Sequence, residues 1–262
     1  MDLKLQDKLI LVSGSTKGIG FAVALALAAE GARVIVTGRT EASVAEAIGM
    51  IRSAHPKAKV EGHAGDLAAA SGAEEVAGRF PGVEILVNSL GIYEPKPFEE
   101  IGDAEWLRMF EVNVLSSVRL SRAYLPAMKR RNWGRIVFIS SESGIQIPVE
   151  MVHYGMTKTA LLAVSRGIAE GCAGTGVTAN AVLPGPTRSA GVEEFVAKLS
   201  AGRDFAEFER VFFEKVRPTS LLRRFATPDE VAPLVAYLCS PLSAATNGAA
   251  LRVDGGVVKS CF

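Results

Sequence analysis

Cysteine is scarce in this 262-residue chain: Cys172, Cys239 and Cys261 are an odd set with no Cys-x-x-Cys spacing. That count argues against a disulfide scaffold and fits a reducing, cytoplasmic setting. Histidine is as sparse. His55, His63 and His153 form no ligand-spaced cluster, so no metal is expected. Neither sign of charge dominates, with 29 Lys and Arg against 28 Asp and Glu, a net of +1. Nucleic-acid binders usually carry a basic excess because phosphate neutralisation drives their affinity, so nucleic acid is not an expected partner. The one tight basic cluster, Lys129-Arg130-Arg131, falls at a predicted helix end, where cations complement the macrodipole. The apolar stretch 21–29 is too short to span a bilayer and follows a glycine-rich turn, so it reads as a buried helix. No membrane contact is expected. Repeats and Pro-, Gly- or Ser-rich linkers are missing too, which leaves one domain over 1–262.

What the chain does have is alternation. Apolar runs of strand length at Leu9–Val12, 33–37, around Val60, and at 84–88, 135–140, 177–183 and Ala250–Val253 are separated by helical segments. Those helices are expected at 19–30, 41–53, 103–131 and from His153 onward. Continuous apolar strands with helical crossovers imply an α/β fold: a doubly wound, mainly parallel sheet with helices on both faces. Ligands then belong at the carboxyl ends of the strands.

Two clusters fall at those ends. Gly14-Ser15-Thr16-Lys17-Gly18-Ile19-Gly20 joins the first strand to the first helix. Glycines there allow a tight turn and let backbone N–H groups approach a pyrophosphate at a helix N-terminus. After the second strand, Gly38-Arg39 stands where an NAD-binding chain usually has an acid for the ribose 2′-hydroxyl. Arg39, helped by Lys17, suits a 2′-phosphate, so NADP(H) is expected in preference to NAD(H). Tyr154 and Lys158 form the second cluster, four residues apart and so on one helical face. An adjacent lysine is expected to lower the phenol's pKa and fit it for acid/base work. Ser140-Ser141 and Asn88-Ser89-Leu90-Gly91 end neighbouring strands at the same edge.

From Leu9 to Gly256 these landmarks resemble the short-chain dehydrogenase/reductase family. They are Gly14-x-x-x-Gly18-Ile-Gly20, Asp66-Leu67, Asn88 to Gly91, Asn113, Ser141, Tyr154-x-x-x-Lys158, Pro184-Gly185 and Val253-Asp-Gly-Gly256. The resemblance implies hydride transfer between a nicotinamide and a carbonyl or alcohol. It implies Tyr154 as acid/base, Ser141 on the substrate oxygen, and Lys158 on the nicotinamide ribose and tuning the phenol. Asn113 would support a relay water, Asp66 would meet adenine, and Pro184, Gly185, Thr187 and Ser189 would orient the carboxamide. It also implies a homo-oligomer, a tetramer. One departure is visible: the family commonly has Asn-Asn-Ala-Gly where this chain has Asn88-Ser89-Leu90-Gly91.

Substrate choice is expected to fall to residues 187–222, rich in phenylalanine at helical spacing. Val192, Phe195, Val196 and Leu199 form one stripe, and Phe205, Phe208, Phe212, Phe213 and Val216 another. The segment is either a lid, as the resemblance implies, or helices packed on the body. Tyr93, Ile145, Gln146, Val149 and Met151 flank the catalytic motifs, and Arg188 is a candidate anchor for an anion. Two other functions stay open: a reductase of carrier-bound 3-oxoacyl groups, docking through Lys129-Arg130-Arg131, and a non-catalytic dinucleotide sensor.

Overall fold

A computed structural model describes residues 1–189 and 204–261. Seven strands alternate with helices: β1 Leu9–Val12, α1 Gly18–Ala29, β2 Arg33–Gly38, α2 Glu41–Ala54, β3 Lys59–Ala64, α3 Ala70–Arg79 and β4 Ile85–Asn88. Then come α4 Asp103–Phe110, α5 Ser116–Arg130, β5 Gly134–Ile139, α6 Val152–Glu170, β6 Val177–Pro184, α7 Phe205–Lys215, α8 Pro228–Cys239 and β7 Ala250–Val253. The strands form one sheet in the order β3-β2-β1-β4-β5-β6-β7, every neighbouring pair parallel. Chain direction of winding reverses between β1 and β4, and a crevice for a ligand opens there, beyond the strands' carboxyl ends.

Strand side chains alternate between two cores. Ile10 and Val12 pack with α1, α2 and α8 on one face, while Leu11 packs with α3, α5 and α6 on the other. Among the described residues no helix is long and apolar enough to cross a membrane.

Two helices, α3 and α8, are additional to those expected from the sequence. α3 carries Gly72 and Gly78 and buries only Gly72, Ala73 and Val76. α8 packs one stripe, Val231, Ala232, Val235 and Ala236, into the core that holds α1 and the sheet. Its start is marked by a capping box, Thr227 accepting from Glu230 N while Glu230 accepts from Thr227 N, with Pro228 in the first turn.

The helix expected over 103–131 is two helices joined by a π turn, Glu111–Leu115. Such wide turns are frequent at functional sites, and this one holds Asn113. The first stripe of the expected lid segment, Val192 to Leu199, lies outside the described residues.

Candidate active site

The glycine turn is built by close backbone approach. Gly14 and Gly18 have φ of +63° and +59°, and a Cβ on Gly20 would lie 2.4 Å from the Gly14 carbonyl oxygen. Ser15 is consumed by the framework. Its hydroxyl donates to Val12 O at 2.7 Å and accepts from Thr37 N at 2.9 Å, tying the turn to β2. Thr16 packs against Gly38. Lys17 precedes α1 without a side-chain cap, and the first turn of α1 holds no acid. Its orphan N–H groups are left for an anion. Lys17 and Arg39 are both exposed at this edge, so the residues present fit a dinucleotide carrying a 2′-phosphate.

The other cofactor candidates share that edge. Asp66 is exposed just past β3, accepting from Ala68 N at 3.1 Å, and Leu67 is buried. Asn88 is buried at the end of β4 and donates to Ser121 Oγ at 3.2 Å. In the divergent segment, the N–H groups of Ser89 and Leu90 both donate to Ser13 Oγ, and Leu90 packs on Gly14. Pro184 ends β6, Thr187 donates to Gly185 O at 2.9 Å, and Ser189 lies against Gly18.

Asn113, Ser141, Tyr154 and Lys158 converge. The π turn turns Asn113 fully inward, where Oδ1 accepts from Ile92 N at 2.7 Å and Nδ2 donates to Ile92 O at 2.9 Å and Thr157 Oγ1 at 3.0 Å. A carbon built on Gly91 would sit 3.4 Å from Lys158 Nζ and 3.5 Å from Asn113 Oδ1. Lys158 is buried and donates to Ile139 O at 3.0 Å, and its Nζ lies 5.5 Å from the Tyr154 ring centre. The two serines divide their work. Ser140 donates to Lys158 O at 2.8 Å, fastening α6 to β5, whereas Ser141 donates to Glu142 Oε2 at 2.5 Å.

Protonation at the site differs from the expectation of a lysine-depressed phenol. Burial, then the Glu142 carboxylate, push Tyr154 above its ordinary value, and the Ser141 hydrogen bond opposes them only in part. Burial also pushes Lys158 down to about 8, which weakens it as a cation beside the phenol.

A cavity of about 470 Å³ opens beside Tyr154. Ile19, Tyr93, Met151, Phe208, Val211, Phe212 and Phe225 line it, with Ser141, Glu142, Glu150 and Arg217. Of the expected substrate contacts, Tyr93 and Met151 are in the wall. Gln146 and Arg188 are not, Arg188 stacking on the Phe205 ring at 4.0 Å. Ile145 and Val149 are exposed. The phenylalanine stripe divides: Phe208 and Phe212 face the cavity, and Phe213 is core. Glu142 and Arg217 carry no motif. Glu142 could have been flagged as an acid next to Ser141, but nothing local pairs it with a residue 75 positions away.

A family model described as "Enoyl-(Acyl carrier protein) reductase" matches residues 14–258. The chain belongs to the short-chain dehydrogenase/reductase family. It is 47% identical over 264 residues to the "Uncharacterized oxidoreductase YvaG" of Bacillus subtilis (strain 168), covering 100% of both chains. It is 34% identical to the 3-oxoacyl-[acyl-carrier-protein] reductase FabG of Aquifex aeolicus (strain VF5), over 98% of this chain and 100% of that one. The structure of L-sorbose reductase from Gluconobacter frateurii, complexed with NADPH and L-sorbose, is similar with a TM-score of 0.92 and 28% identity, covering 99% and 100%. This short-chain dehydrogenase/reductase is thus an oxidoreductase acting on CH–OH or C=O groups with a nicotinamide cofactor.

Proposed function

We propose that the enzyme is an NADP(H)-dependent carbonyl reductase, or in reverse an alcohol dehydrogenase, with Tyr154 as its acid/base. The carrying observation is that Tyr154, Ser141 and Lys158 meet at the carboxyl ends of β5 and α6's first turns, beside the glycine turn and Arg39. Gly14, Gly18, Gly20, Lys17 and Arg39 would hold the phosphates, and Asn88, Gly91, Lys158 and the 184–189 segment the ribose and nicotinamide. When bound, the nicotinamide supplies the hydride. Charge then grows on the substrate oxygen beside a largely apolar wall, where an unneutralised alkoxide is costly. Tyr154, whose raised pKa keeps the proton on the phenol, gives it to that oxygen. Ser141 shares the cavity wall with the phenol, and Asn113 fixes the loop at Ile92 against α6.

Replacing Tyr154 with Phe tests the reading. NADPH binding should stay within a few-fold, and kcat should fall by about 10²–10⁴-fold, the usual worth of a positioned acid. Near wild-type turnover on the best substrate would refute it. The alternative of a carrier-bound 3-oxoacyl substrate stands beside this reading: Lys129 donates to Gly171 O and Arg131 to Val83 O and Trp133 O, and all three cations of 129–131 stay exposed. Self-association, with a tetramer expected, is supported by exposed Phe98, Leu107 and Leu221, which are 60%, 70% and 84% accessible.

A further inference from the structure

The cavity wall is apolar along Phe208, Val211, Phe212, Val216 and Phe225, yet it contains a buried ion pair. Glu142 follows Ser141 in a short 3₁₀ turn and is 4% exposed; Arg217 lies two residues past α7 and is 7% exposed. Arg217 Nε donates to Glu142 Oε1 at 3.2 Å, and its Nη1 donates to Glu150 Oε1 at 3.0 Å and Val216 O at 3.0 Å. Glu142 Oε2 accepts from Ser141 Oγ at 2.5 Å. A buried ion pair is weak as a stabilising device, since apolar replacements are often neutral or better. One placed against Ser141, in the same cavity wall as Tyr154, therefore calls for a functional explanation.

Its unused hydrogen-bonding capacity supplies one. Arg217 lines the cavity, and its Nη2 has no hydrogen-bond partner among the described residues, so that nitrogen's two N–H groups are left for a ligand. Glu142 has lone pairs left beyond the two bonds it accepts. A donor and an acceptor side by side match a hydroxyl group, which can take one bond and give the other. A carboxylate does not match, because two glutamates already surround the single guanidinium and would repel it. The contact to Ser141 places this pair next to the reacting carbon. The phenylalanines opposite suit an apolar remainder.

We propose that Glu142 and Arg217 determine specificity by selecting a neutral ketone with a hydroxyl on the adjacent carbon, or the corresponding vicinal diol, over a carboxylate-bearing ketone. The inference rests on the reductase reading and names its substrate class. The test is steady-state reduction of α-hydroxyacetophenone, propiophenone and phenylglyoxylate with NADPH and with NADH. All three share a benzoyl half for the phenylalanine wall and differ only in CH₂OH, CH₂CH₃ or carboxylate.

Wild type should prefer the hydroxy ketone by at least about tenfold in kcat/KM over each of the others, the discrimination expected when a site's polar groups are left unpaired. In Arg217→Met that preference over propiophenone should collapse toward unity. In Glu142→Gln, isosteric and uncharged, phenylglyoxylate should gain on the hydroxy ketone. Turnover without the wild-type preference, or a preference unchanged in both variants, overturns the proposal alone. If a variant fails to fold, the wild-type ratios and the other variant decide. Absence of turnover on all three with either cofactor overturns the proposal, while the reductase reading is decided separately by Tyr154→Phe on the best substrate.

Discussion

Lys158 should make the cofactor-free enzyme less stable at neutral pH than the same fold would be without its charge. An unfolded lysine titrates near 10.5, and burial pushes this one down to about 8. Each factor of ten in proton affinity is worth about 1.4 kcal/mol, so ionised Lys158 costs the native state roughly 3 kcal/mol relative to its neutral form. The sign follows from which state binds the proton more tightly. Below pH 8 both states are protonated and the full cost is present. Between about 8 and 10.5 the unfolded chain holds the proton and the native one sheds it, so stability rises with pH. Only above 10.5 is the cost gone.

Lys158→Met removes the titration, and the loss of a donor to Ile139 O adds an offset that does not depend on pH. The difference in unfolding free energy between wild type and variant should therefore move in favour of wild type by about 2 kcal/mol from pH 7 to 9.5. That is on the order of 5 °C in relative Tm for a chain of this size. Cys239, which burial pushes up to about 12, loses stability over the upper part of this range in both proteins and cancels in the difference. Tyr154, also raised, begins to matter only above its unfolded value of 10. Thermal or urea unfolding of both proteins across this range is the assay. Parallel profiles would refute the assignment of a desolvated ammonium at this position.

Arg39→Ala should erase an NADPH preference of at least about tenfold over NADH, roughly 1.4 kcal/mol, read by titrating each cofactor; equal affinities in wild type would defeat the 2′-phosphate assignment. Phe213→Ala, a core truncation at 2% exposure, should cost about 3–5 kcal/mol of stability with little change in KM. Phe212→Ala should raise KM for bulky ketones more than for small ones, and the reverse pattern for the pair would show that the cavity wall is misplaced. Light scattering at micromolar concentration should give a multiple of the 27.7 kDa chain mass, and a strictly monomeric mass would rule out self-association.

Local signals and distant ones fared differently in the sequence. The strands and the glycine turn are legible because a strand buried on both faces is an uninterrupted apolar run, and the turn's backbone demands glycine at Gly14 and Gly18. Tyr154 and Lys158 are legible through their four-residue spacing, and Ser141 through its place at a strand end. α8 is announced at its start by Thr227-Pro-Asp-Glu230 and carries a buried stripe of Val231, Ala232, Val235 and Ala236, signals that the strand-and-helix alternation passes over. The break in the long helix at Glu111–Leu115 has no glycine or proline to mark it. The phenol's raised pKa depends on Glu142 and on depth of burial, and the Glu142–Arg217 pair on a contact across 75 residues, neither of which a local pattern encodes.

The wide turn at Glu111–Leu115 also makes the site a matter of chain length. An α-helix advances about 100° and ~1.5 Å per residue, and the π turn accommodates one residue more than regular winding would. Deleting any single residue there would restore an unbroken helix and swing Asn113 out of phase with Ile92 and Thr157. The helix would gain regularity while the loop bearing Gly91 lost its tether to α6. Within these five residues, point substitutions of outward positions can be absorbed, but a change of length cannot: the spacing between Asp103 and Ser116 is itself a component of the active site.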